Sequence, residues 1–299
     1  MNAQLKPTGL ASYANGLHLD IPEHIYHERV IDIANNGGLA EISRTPAHYL
    51  AWTKGVDEDT PAKMFGKAFH MRILQPELFA STYIGNVKHP YRRVTEAQRN
   101  AKKPSPETLD AIAYWDEWEL RMGGKIPLMA EDSDAIEAMA ASVEAHPIAG
   151  RLLRNGVAEA TALWVDPDTG VRCKARFDYW REDLMIIPDV KTTDDAGPKG
   201  FAKSIANYRY HVQESHYKSG ARALGFRKAT FLYVAIEKDP PYAVAVHQLD
   251  LDSQEEGHAL RQRDMERLAE CLKSNKWPGY PETVNTISLP GWAFGATKS

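Results

Sequence analysis

The 299-residue sequence has little cysteine and no long apolar run. Cys173 and Cys271 are too few for a disulfide framework, a four-cysteine zinc site or a four-cysteine iron–sulfur cluster. No segment approaches the roughly 18 apolar residues that a membrane-spanning helix requires, and the first residues lack the apolar stretch of a secretory signal. We therefore expect a cytoplasmic protein that has no membrane partner and keeps both cysteines buried as small hydrophobic residues.

A strong excess of one charge is also absent. The chain has 36 basic and 40 acidic residues, a formal net charge of −4, which excludes a uniformly basic nucleic-acid-binding surface. Hydrophobic residues make up 43% of the chain and charged residues 25%. These values are typical of a globular protein and exclude a disordered or fibrous one.

Two local basic runs remain within this balanced composition. Residues 199–228 contain seven basic residues and one acidic residue. Residues 88–103 contain six basic residues and one acidic residue. Tyr91, Tyr208 and Tyr210 are interleaved with them. Basic and aromatic side chains together can grip a phosphate backbone and stack on a frayed DNA end, and a solvated helix face is the alternative. The candidate DNA-binding residues of the 199–228 run are Lys199, Lys203, Arg209, Lys218 and Arg222.

The hydrophobic pattern changes from helical to strand-like at about residue 156. Thr60, followed by proline, predicts a helix start, and Ser43 is a candidate cap for another. Further helices are expected over residues 106–122, 132–145, 197–225 and 252–274. The strand-like segments are VAEATALWV, VRCKARFDYW, LMIIPDVKT, FLYVAIEK and YAVAVHQLD. The resulting order, β–β–β–α–β–β–α after a helical region, predicts an α/β fold with a mixed central sheet flanked by helices.

We expect three segments along the chain. An N-terminal arm covers residues 1–40, one domain covers residues 41–275, and a tail covers residues 276–299. The domain comprises a helical part at 41–155, a core at 156–250 and a C-terminal helix at 252–274.

Asp189 and Lys191 form the sharpest local feature, because both lie at the end of the third expected strand. Alternate residues of a strand share a face, so the carboxylate and the ammonium lie side by side. Aspartate can ligate Mg²⁺, and lysine can orient or activate water or stabilise a transition-state phosphate. An exposed ion pair at a strand end is the alternative.

Asp178 and Glu159 are two further acidic residues in expected strands. An antiparallel arrangement of neighbouring strands would bring Asp178 next to Asp189. Its aromatic neighbours indicate partial burial, and a buried aspartate needs a partner or a metal. Glutamate is a poor strand former, so backbone preference does not explain Glu159. The alternatives are a turn-capping or edge-strand aspartate and a solvent-facing glutamate.

Two expected helices add polar side chains. His70 lies one turn after Gly66 in an apolar helix, where histidine is a core residue or a ligand and glycine permits close packing of backbone or ligand. Gln213 and Tyr217 share a helical face, and an amide with a phenol can hold a phosphate or a base edge. A polar stripe on an amphipathic helix is the alternative.

The order of these features resembles the RecB-like branch of the PD-(D/E)XK nuclease superfamily, and more narrowly the RecE-type exonucleases (exodeoxyribonuclease VIII). The resemblance covers roughly residues 40–270. ISRTPAHY at residues 42–49 is similar to the S–x–T–P–A–H–Y opening of that group. GKAFH followed by LQP, from residue 66 to 76, is similar to its G–x–A–x–H…L–x–P helix. The motif proline departs from the family pattern, because it precedes Asp189 and not Asp178.

The resemblance implies a restriction-endonuclease-like core and a role for each candidate residue. Lys191 would position and help activate the attacking water, and Glu159 would bind a second metal or its water shell. Gln213 and Tyr217 would support the site and contact the DNA strand. The implied ligands of the first metal are His70, Asp178, Asp189 and the backbone carbonyl of Val190.

The resemblance also implies an Mg²⁺-dependent deoxyribonuclease that degrades linear double-stranded DNA from 5′ to 3′ and leaves 3′ single strands for recombination. The histidine ligand leaves room for Mn²⁺. The implied partners are double-stranded DNA ends, a single-strand annealing protein and further copies of this chain in a closed ring, in a phage or prophage setting.

Three other functions stay open at this point. The chain could be a RecB-like nuclease with another polarity or an endonuclease mode, or a catalytically inactive DNA-binding protein on the same fold. The complete acidic and lysine set argues against the inactive protein, because a decayed site should have lost a member. A metal hydrolase of small phosphates is the third, and the long basic runs argue against it.

Overall fold

A computed structural model describes residues 9–55, 60–87, 89–290 and 293, with the backbone alone for residues 86 and 87. Lys88 of one basic run, the first eight residues of the expected arm, and residues 291–292 and 294–299 of the expected tail lie outside the described residues. Within the described residues no helix is both long enough and apolar enough to cross a membrane.

The first half of the described chain is mainly helical. A 3₁₀ turn at Leu10–Ser12 precedes two short strands, β1 (Gly16–His18) and β2 (Ile33–Ala34), which flank α1 (Glu23–Tyr26). A small parallel pair follows, β3 (Tyr83–Val87) and β4 (Ile126–Met129). The remaining helices of this half are α2 (Asn36–Arg44), α3 (Pro46–Lys54), α4 (Pro61–Leu74), α5 (Pro76–Thr82), α6 (Glu96–Arg99), α7 (Pro106–Met122), α8 (Ala130–Ala145) and α9 (Ala149–Leu152).

Side-chain caps explain where several of these helices begin. The Thr60 hydroxyl accepts a hydrogen bond from the amide of Lys63 at 3.3 Å, which confirms the predicted start of α4. Ser43 lies inside α2, so its prediction as a cap was wrong. Thr45 caps α3 instead, because its hydroxyl accepts from the amide of His48 at 3.3 Å.

The second half contains the predicted strand-rich core. The strands are β5 (Val157–Val165), β6 (Arg172–Trp180), β7 (Ile186–Thr193), β8 (Thr230–Glu237) and β9 (Val244–His247), and the helices are α10 (Pro198–Asn207), α11 (Tyr210–Ala223) and α12 (Leu251–Ser274). Strands β1, β5, β6 and β2 are hydrogen-bonded in that order, and β7, β8 and β9 form a second ladder. Each ladder contains parallel and antiparallel pairs, which confirms the prediction of a mixed sheet.

The junction between the two ladders positions the candidate site. Between β6 and β7 the described residues share an isolated antiparallel bridge, Arg181 with Ile186. The two strands therefore diverge beyond this bridge, and backbone amides of β7 are left free to bind side chains of β6.

The residues of the expected arm enter the same sheet. Strand β1 pairs antiparallel with β5, and β2 pairs parallel with β6. Lys174 and Arg176 of β6 donate hydrogen bonds to backbone carbonyls of Tyr26 and Ile21. The boundary between arm and domain at residue 40 stays a prediction.

The prediction of one helix over residues 197–225 was wrong. The chain forms α10 and α11, separated by Tyr208 and by Arg209, whose φ of +58° lies in the left-handed region. The Arg209 guanidinium is ion-paired with the fully buried Asp264 of α12. This tertiary contact ends the first helix where the hydrophobic pattern alone would continue it.

Two apolar clusters cover the two faces of the core strands. One joins Phe177 of β6 and Phe231 of β8 to Leu268 of α12. The other joins Val190 of β7 to Phe69 of α4 and to Ile136 of α8. Helices α11 and α12 thus lie on one face and α4 and α8 on the other, and the expected burial of both cysteines is confirmed.

Candidate active site

Strand β7 presents its charged pair on one face. Asp189 is completely buried, and the Nζ of Lys191 lies 2.5 Å from its Oδ2. Val190 between them points to the opposite face, into the cluster with α4 and α8. The predicted juxtaposition of carboxylate and ammonium is therefore present, and burial excludes a solvent-exposed ion pair.

Asp178 of β6 reaches the same point from the neighbouring strand. Its Oδ2 accepts a hydrogen bond from the backbone amide of Val190 at 2.8 Å. This amide is available because β6 and β7 have no ladder at this position. The backbone partner explains how a carboxylate that is only 15% exposed is accommodated.

His70 approaches the two carboxylates from α4. Its Nδ1 lies 3.7 Å from Oδ2 of Asp178, beyond hydrogen-bonding distance. Burial and the Lys191 ammonium lower the pKa of His70, the Asp189 carboxylate and a hydrogen bond with the Val190 backbone oppose them, and the resulting pKa is about 4. The ring is therefore neutral at pH 7 and can offer a nitrogen lone pair to a cation.

The two carboxylates are electrostatically coupled. Burial raises the pKa of Asp189, the Lys191 ammonium opposes this rise, the Asp178 carboxylate adds to it, and the resulting pKa is about 6. Burial also raises the pKa of Asp178. Two buried acids that disfavour each other's ionised forms are a pattern typical of functional sites.

Lys191 carries the opposing positive charge. Burial alone would lower its pKa, but the carboxylates of Asp189 and Asp178 outweigh burial and raise the pKa above its ordinary value. The ammonium also lies 4.9 Å from the ring centroid of Tyr210, a cation–π contact. In this arrangement Lys191 is a fixed cation that can orient water and stabilise negative charge.

Helix α11 supports the site from its buried face. Gln213 donates a hydrogen bond through Nε2 to Oδ1 of Asp189 at 3.0 Å. Tyr217, one turn further, packs against Phe177 and Phe231 and is 8% exposed. The predicted shared face is present, and this placement suits support of Asp189. Contact of Gln213 or Tyr217 with a DNA strand stays a prediction.

Glu159 lies on the other side of Asp178. The register of its neighbours, Ala158 with Tyr179 and Ala160 with Phe177, puts it opposite Asp178 across β5 and β6. Its φ is +56°, a conformation that is rare for a non-glycine residue within a strand. Such strain persists only where the surroundings enforce it, and it clusters at functional sites.

The charge of Glu159 depends on the same neighbourhood. Burial and the Asp178 carboxylate raise its pKa to about 8, while Arg176, whose Nε lies 3.9 Å away, opposes the rise. Glu159 is therefore largely protonated at neutral pH in this arrangement. A role at a second metal or in its water shell stays a prediction.

Asp178, Asp189 and His70 carry oxygen and nitrogen atoms of the types that divalent cations bind. The Oδ2 of Asp189 is buried, and its partner is the Lys191 ammonium, whose Nζ lies 2.5 Å away. Adjacent ligand atoms of one octahedral ion at about 2.1 Å lie roughly 3.0 Å apart, so the 3.7 Å between Nδ1 of His70 and Oδ2 of Asp178 would have to shorten by roughly 0.7 Å for both atoms to bind one such ion. Across the described part of the chain, however, no three His, Cys, Asp or Glu side chains form a complete metal group.

Gly66 does not serve the packing that the sequence suggested. A Cβ at this position would meet no atom within 4 Å, so the expectation of close backbone packing in the fold was wrong. The open space lies one helical turn from His70. Approach of a ligand to Gly66 stays a prediction.

The candidate DNA-binding residues fall into two groups. Arg209 and Lys218 have protein partners, since Arg209 pairs with Asp264 and Lys218 donates to Gln254 at 2.7 Å. In the 88–103 run, Arg93 and Arg99 pair with acidic residues of α7. The solvent-exposed members of the 199–228 run named as candidates are Lys199, Lys203 and Arg222.

Sequence reasoning missed two neighbours of the site. Tyr210 was noted only as an aromatic residue in a basic run, yet its ring covers the Lys191 ammonium. Tyr26 of the expected arm lies under Arg176, 4.2 Å from ring centroid to guanidinium carbon. No local signal in the sequence indicates the second contact, because 150 residues separate the partners.

The mixed sheet, its flanking helices and the Asp178, Asp189 and Lys191 arrangement define a PD-(D/E)XK nuclease-like protein. Residues 37–290 match the family described as a PDDEXK-like domain of unknown function (DUF3799), and the chain belongs to this family. The fold and the family support a nuclease. No match was found among curated proteins.

Solved structures share the architecture. The "putative exonuclease" from Eubacterium rectale superposes with a TM-score of 0.54 at 11% identity, covering 89% of this chain and 97% of that chain. A phage-related exonuclease from Haemophilus somnus 129PT has a TM-score of 0.26 at 11% identity, covering 62% and 91%. The first likeness shows the fold, and the second is too distant to carry an argument.

Proposed function

We propose that this chain is a metal-dependent exodeoxyribonuclease of the RecE type that degrades linear double-stranded DNA from 5′ to 3′. The observation that carries the proposal is the convergence of Asp178, Asp189 and Lys191 at the divergence of β6 and β7, with the neutral ring of His70 beside them. Two carboxylates and a buried ammonium in one place suit phosphodiester hydrolysis.

A divalent cation, Mg²⁺ or Mn²⁺, would be held by the two carboxylates, by His70 and by the backbone carbonyl of Val190. When bound, it supplies Lewis-acid neutralisation of phosphate charge and a more acidic water. The mixed oxygen and nitrogen donor set allows both ions. A second ion would require Glu159 to lose its proton.

Lys191 and Gln213 have separate roles in the proposed hydrolysis. Lys191 orients the attacking water and stabilises the charge that develops on the phosphate, because it is held as an ammonium. Gln213 fixes the orientation of the Asp189 carboxylate by occupying its Oδ1. Hydrolysis breaks one phosphorus–oxygen bond of the DNA backbone and adds the elements of water across it.

The substrate and partners follow from the resemblance and from surface charge. The exposed residues Lys199, Lys203 and Arg222 offer phosphate contacts near the site-supporting helix. We propose a double-stranded DNA end as substrate and 3′ single strands as product. A single-strand annealing protein would receive that product, and copies of this chain would close a ring around the duplex.

A time course on linear double-stranded DNA labelled at the 5′ or the 3′ end, with Mg²⁺, tests the proposal. We expect loss of the 5′ label first, no cleavage of a covalently closed circle, and no cleavage in EDTA. Loss of the 3′ label first would indicate an exonuclease of the opposite polarity. Cleavage of the circle would indicate an endonuclease.

Two controls separate the other candidate functions. DNA binding without cleavage in Mg²⁺ or Mn²⁺ would indicate an inactive binding protein. Competition between the duplex and a small phosphodiester addresses the hydrolase of small phosphates. Unchanged turnover of the small ester in excess duplex would favour that hydrolase.

A further inference from the structure

The break between α10 and α11 builds an aromatic pair that a continuous helix could not form. Residues two apart in a helix point in different directions. Here the left-handed backbone of Arg209 turns the chain, so the rings of Tyr208 and Tyr210 stack with centroids 5.5 Å apart and planes 27° apart. The turn at Arg209 therefore places this aromatic pair next to the candidate active site.

Buried contacts enforce this turn. Arg209 is ion-paired with Asp264, which is completely buried and also receives hydrogen bonds from Arg263. The Tyr233 hydroxyl donates to the backbone carbonyl of Tyr210 at 3.0 Å. A strained non-glycine residue that is held by buried partners is typical of functional sites.

The pair leads outward from the candidate catalytic lysine. The Tyr210 ring covers the Lys191 ammonium at 4.9 Å, and Tyr208 stacks on Tyr210. Tyr208 is 66% exposed, so much of its surface is open to solvent. A pocket of about 70 Å³ beside the two rings is also lined by Ser204, whose hydroxyl can bind a phosphate or sugar oxygen, and by Lys238, which is ion-paired with Asp194 at 2.6 Å.

We propose that Tyr208 is a stacking platform for a nucleobase next to the scissile phosphate at a frayed DNA end. This inference rests on the proposed nuclease function and names a substrate contact that the catalytic residues do not provide. Every base has a π-face, so a tyrosine platform binds without sequence preference. Tyr210 acts as the spacer that sets the distance from this platform to Lys191.

The test compares Tyr208→Leu with Tyr280→Leu, a matched control in the C-terminal tail at a residue that is 69% exposed. Each variant is assayed on a linear duplex with intact ends and on one whose two terminal nucleotides on each strand lack bases. Tyr208→Phe and Tyr208→Trp retain a ring and test whether stacking is the relevant interaction.

We expect Tyr208→Leu to lower kcat/KM on intact ends by roughly 5- to 150-fold, the range that loss of one stacked base gives. The loss should be absent on base-free ends, and the aromatic variants and Tyr280→Leu should match the wild-type protein. Terminal 2-aminopurine in a duplex bound to the Lys191→Ala variant provides a second measurement. Its fluorescence should respond to Tyr208→Leu and not to Tyr280→Leu.

The outcomes separate this inference from the proposed function. If the wild-type protein cleaves DNA and Tyr208→Leu cleaves intact ends equally well, the platform is wrong and the nuclease stands. An equal loss on intact and base-free ends would show a structural role and would also overturn the platform. If the wild-type protein cleaves no DNA, the proposed function fails and the platform fails with it.

Discussion

Gln213 shows how the candidate site depends on single contacts. It is 6% exposed, and its amide occupies one oxygen of a carboxylate that is completely buried. Lys191 is the charged neighbour of the other oxygen. A buried acceptor that loses its donor keeps the cost of its desolvation, so the hydrogen bond matters both for stability and for the orientation of Asp189.

We expect Gln213→Ala to reduce the free energy of unfolding by about 1–3 kcal/mol, because Asp189 loses a buried hydrogen bond. Cleavage should fall as well, since the carboxylate is no longer oriented. Urea unfolding and the initial rate of DNA degradation measure the two effects. Gln254→Ala, which also removes a glutamine hydrogen bond to the chain, is the control, and equal losses of activity in the two variants would contradict the orienting role.

At the scale of elements, helices α11 and α12 are joined to the β5–β6 turn by a buried polar network. The Arg261 guanidinium pairs with Asp166 at 2.5 Å and donates to Nδ1 of His216 at 3.4 Å. Arginine is a donor only, so Nδ1 is the acceptor, and Nε2–H donates to the carbonyl of Lys174 at 3.0 Å. Both ring nitrogens are thus used in the neutral form.

This network predicts acid sensitivity of the fold. Burial and Arg261 lower the pKa of His216 to about 3, while the ordinary value of 6.5 applies to the unfolded chain. Between these values the unfolded state binds the extra proton, so stability is full above pH 6.5 and is lost as the pH falls. We expect His216 alone to reduce the free energy of unfolding by about 3 kcal/mol as the pH falls from 6.5 to 4.

Chemical unfolding of the wild-type protein and of His216→Gln over this pH range tests the expectation. Glutamine offers a donor and an acceptor but does not titrate. The difference in unfolding free energy between the two proteins should shift in favour of the variant as the pH falls. A difference that is independent of pH would contradict the neutral, buried state of His216.

Elements set by local chemistry were predictable from the sequence, and those set by distant contacts were not. The structure contains three elements that local signals predict. They are the start of α4 at the Thr60 cap, the β5–β6 hairpin at its turn sequence, and α12 from its helical periodicity. The turn at Arg209 depends on Asp264, 55 residues away, and no local pattern marks it. The left-handed backbone of Glu159 is likewise a tertiary effect.

The candidate site was more predictable than its surroundings, for a physical reason. Asp189 and Lys191 share a strand face because strands alternate, and Gln213 and Tyr217 share a helix face because helices repeat every 3.6 residues. Such spacing is visible in the sequence. The positions of Tyr26 and Tyr210 against Arg176 and Lys191 depend on packing between separate elements, which spacing does not encode.

For the whole molecule, the balanced net charge conceals an uneven distribution. Lys199, Lys203 and Arg222 are exposed, whereas Arg93 and Arg99 have acidic partners on α7. A cation that already has a carboxylate partner gains less from a phosphate. We therefore expect the first three residues to dominate binding to the DNA backbone.

Replacing Lys199, Lys203 and Arg222 together by alanine should weaken DNA binding and flatten its salt dependence. Each lost phosphate contact makes the slope of log K against log salt less steep by about 0.9. The slope of the triple variant should therefore be less steep than that of the wild-type protein by roughly 2–3. Fluorescence anisotropy from 50 to 300 mM salt measures the slope. An equal or larger change in the double variant Arg93→Ala, Arg99→Ala would place the DNA path elsewhere.

We propose that the site formed by Asp178, Asp189 and Lys191 hydrolyses DNA with a bound cation. The most direct measurement is single-turnover degradation of linear duplex DNA by wild-type protein, Lys191→Met and the exposed control Lys276→Ala, with Mg²⁺ or with EDTA. Methionine keeps the apolar stem and removes the charge, and thermal unfolding checks that each variant is folded. We expect at least about a 100-fold loss for folded Lys191→Met, wild-type rates for Lys276→Ala, and no cleavage in EDTA. Undiminished cleavage by Lys191→Met would exclude this lysine from the reaction, and undiminished cleavage by the wild-type protein in EDTA would exclude metal-dependent hydrolysis.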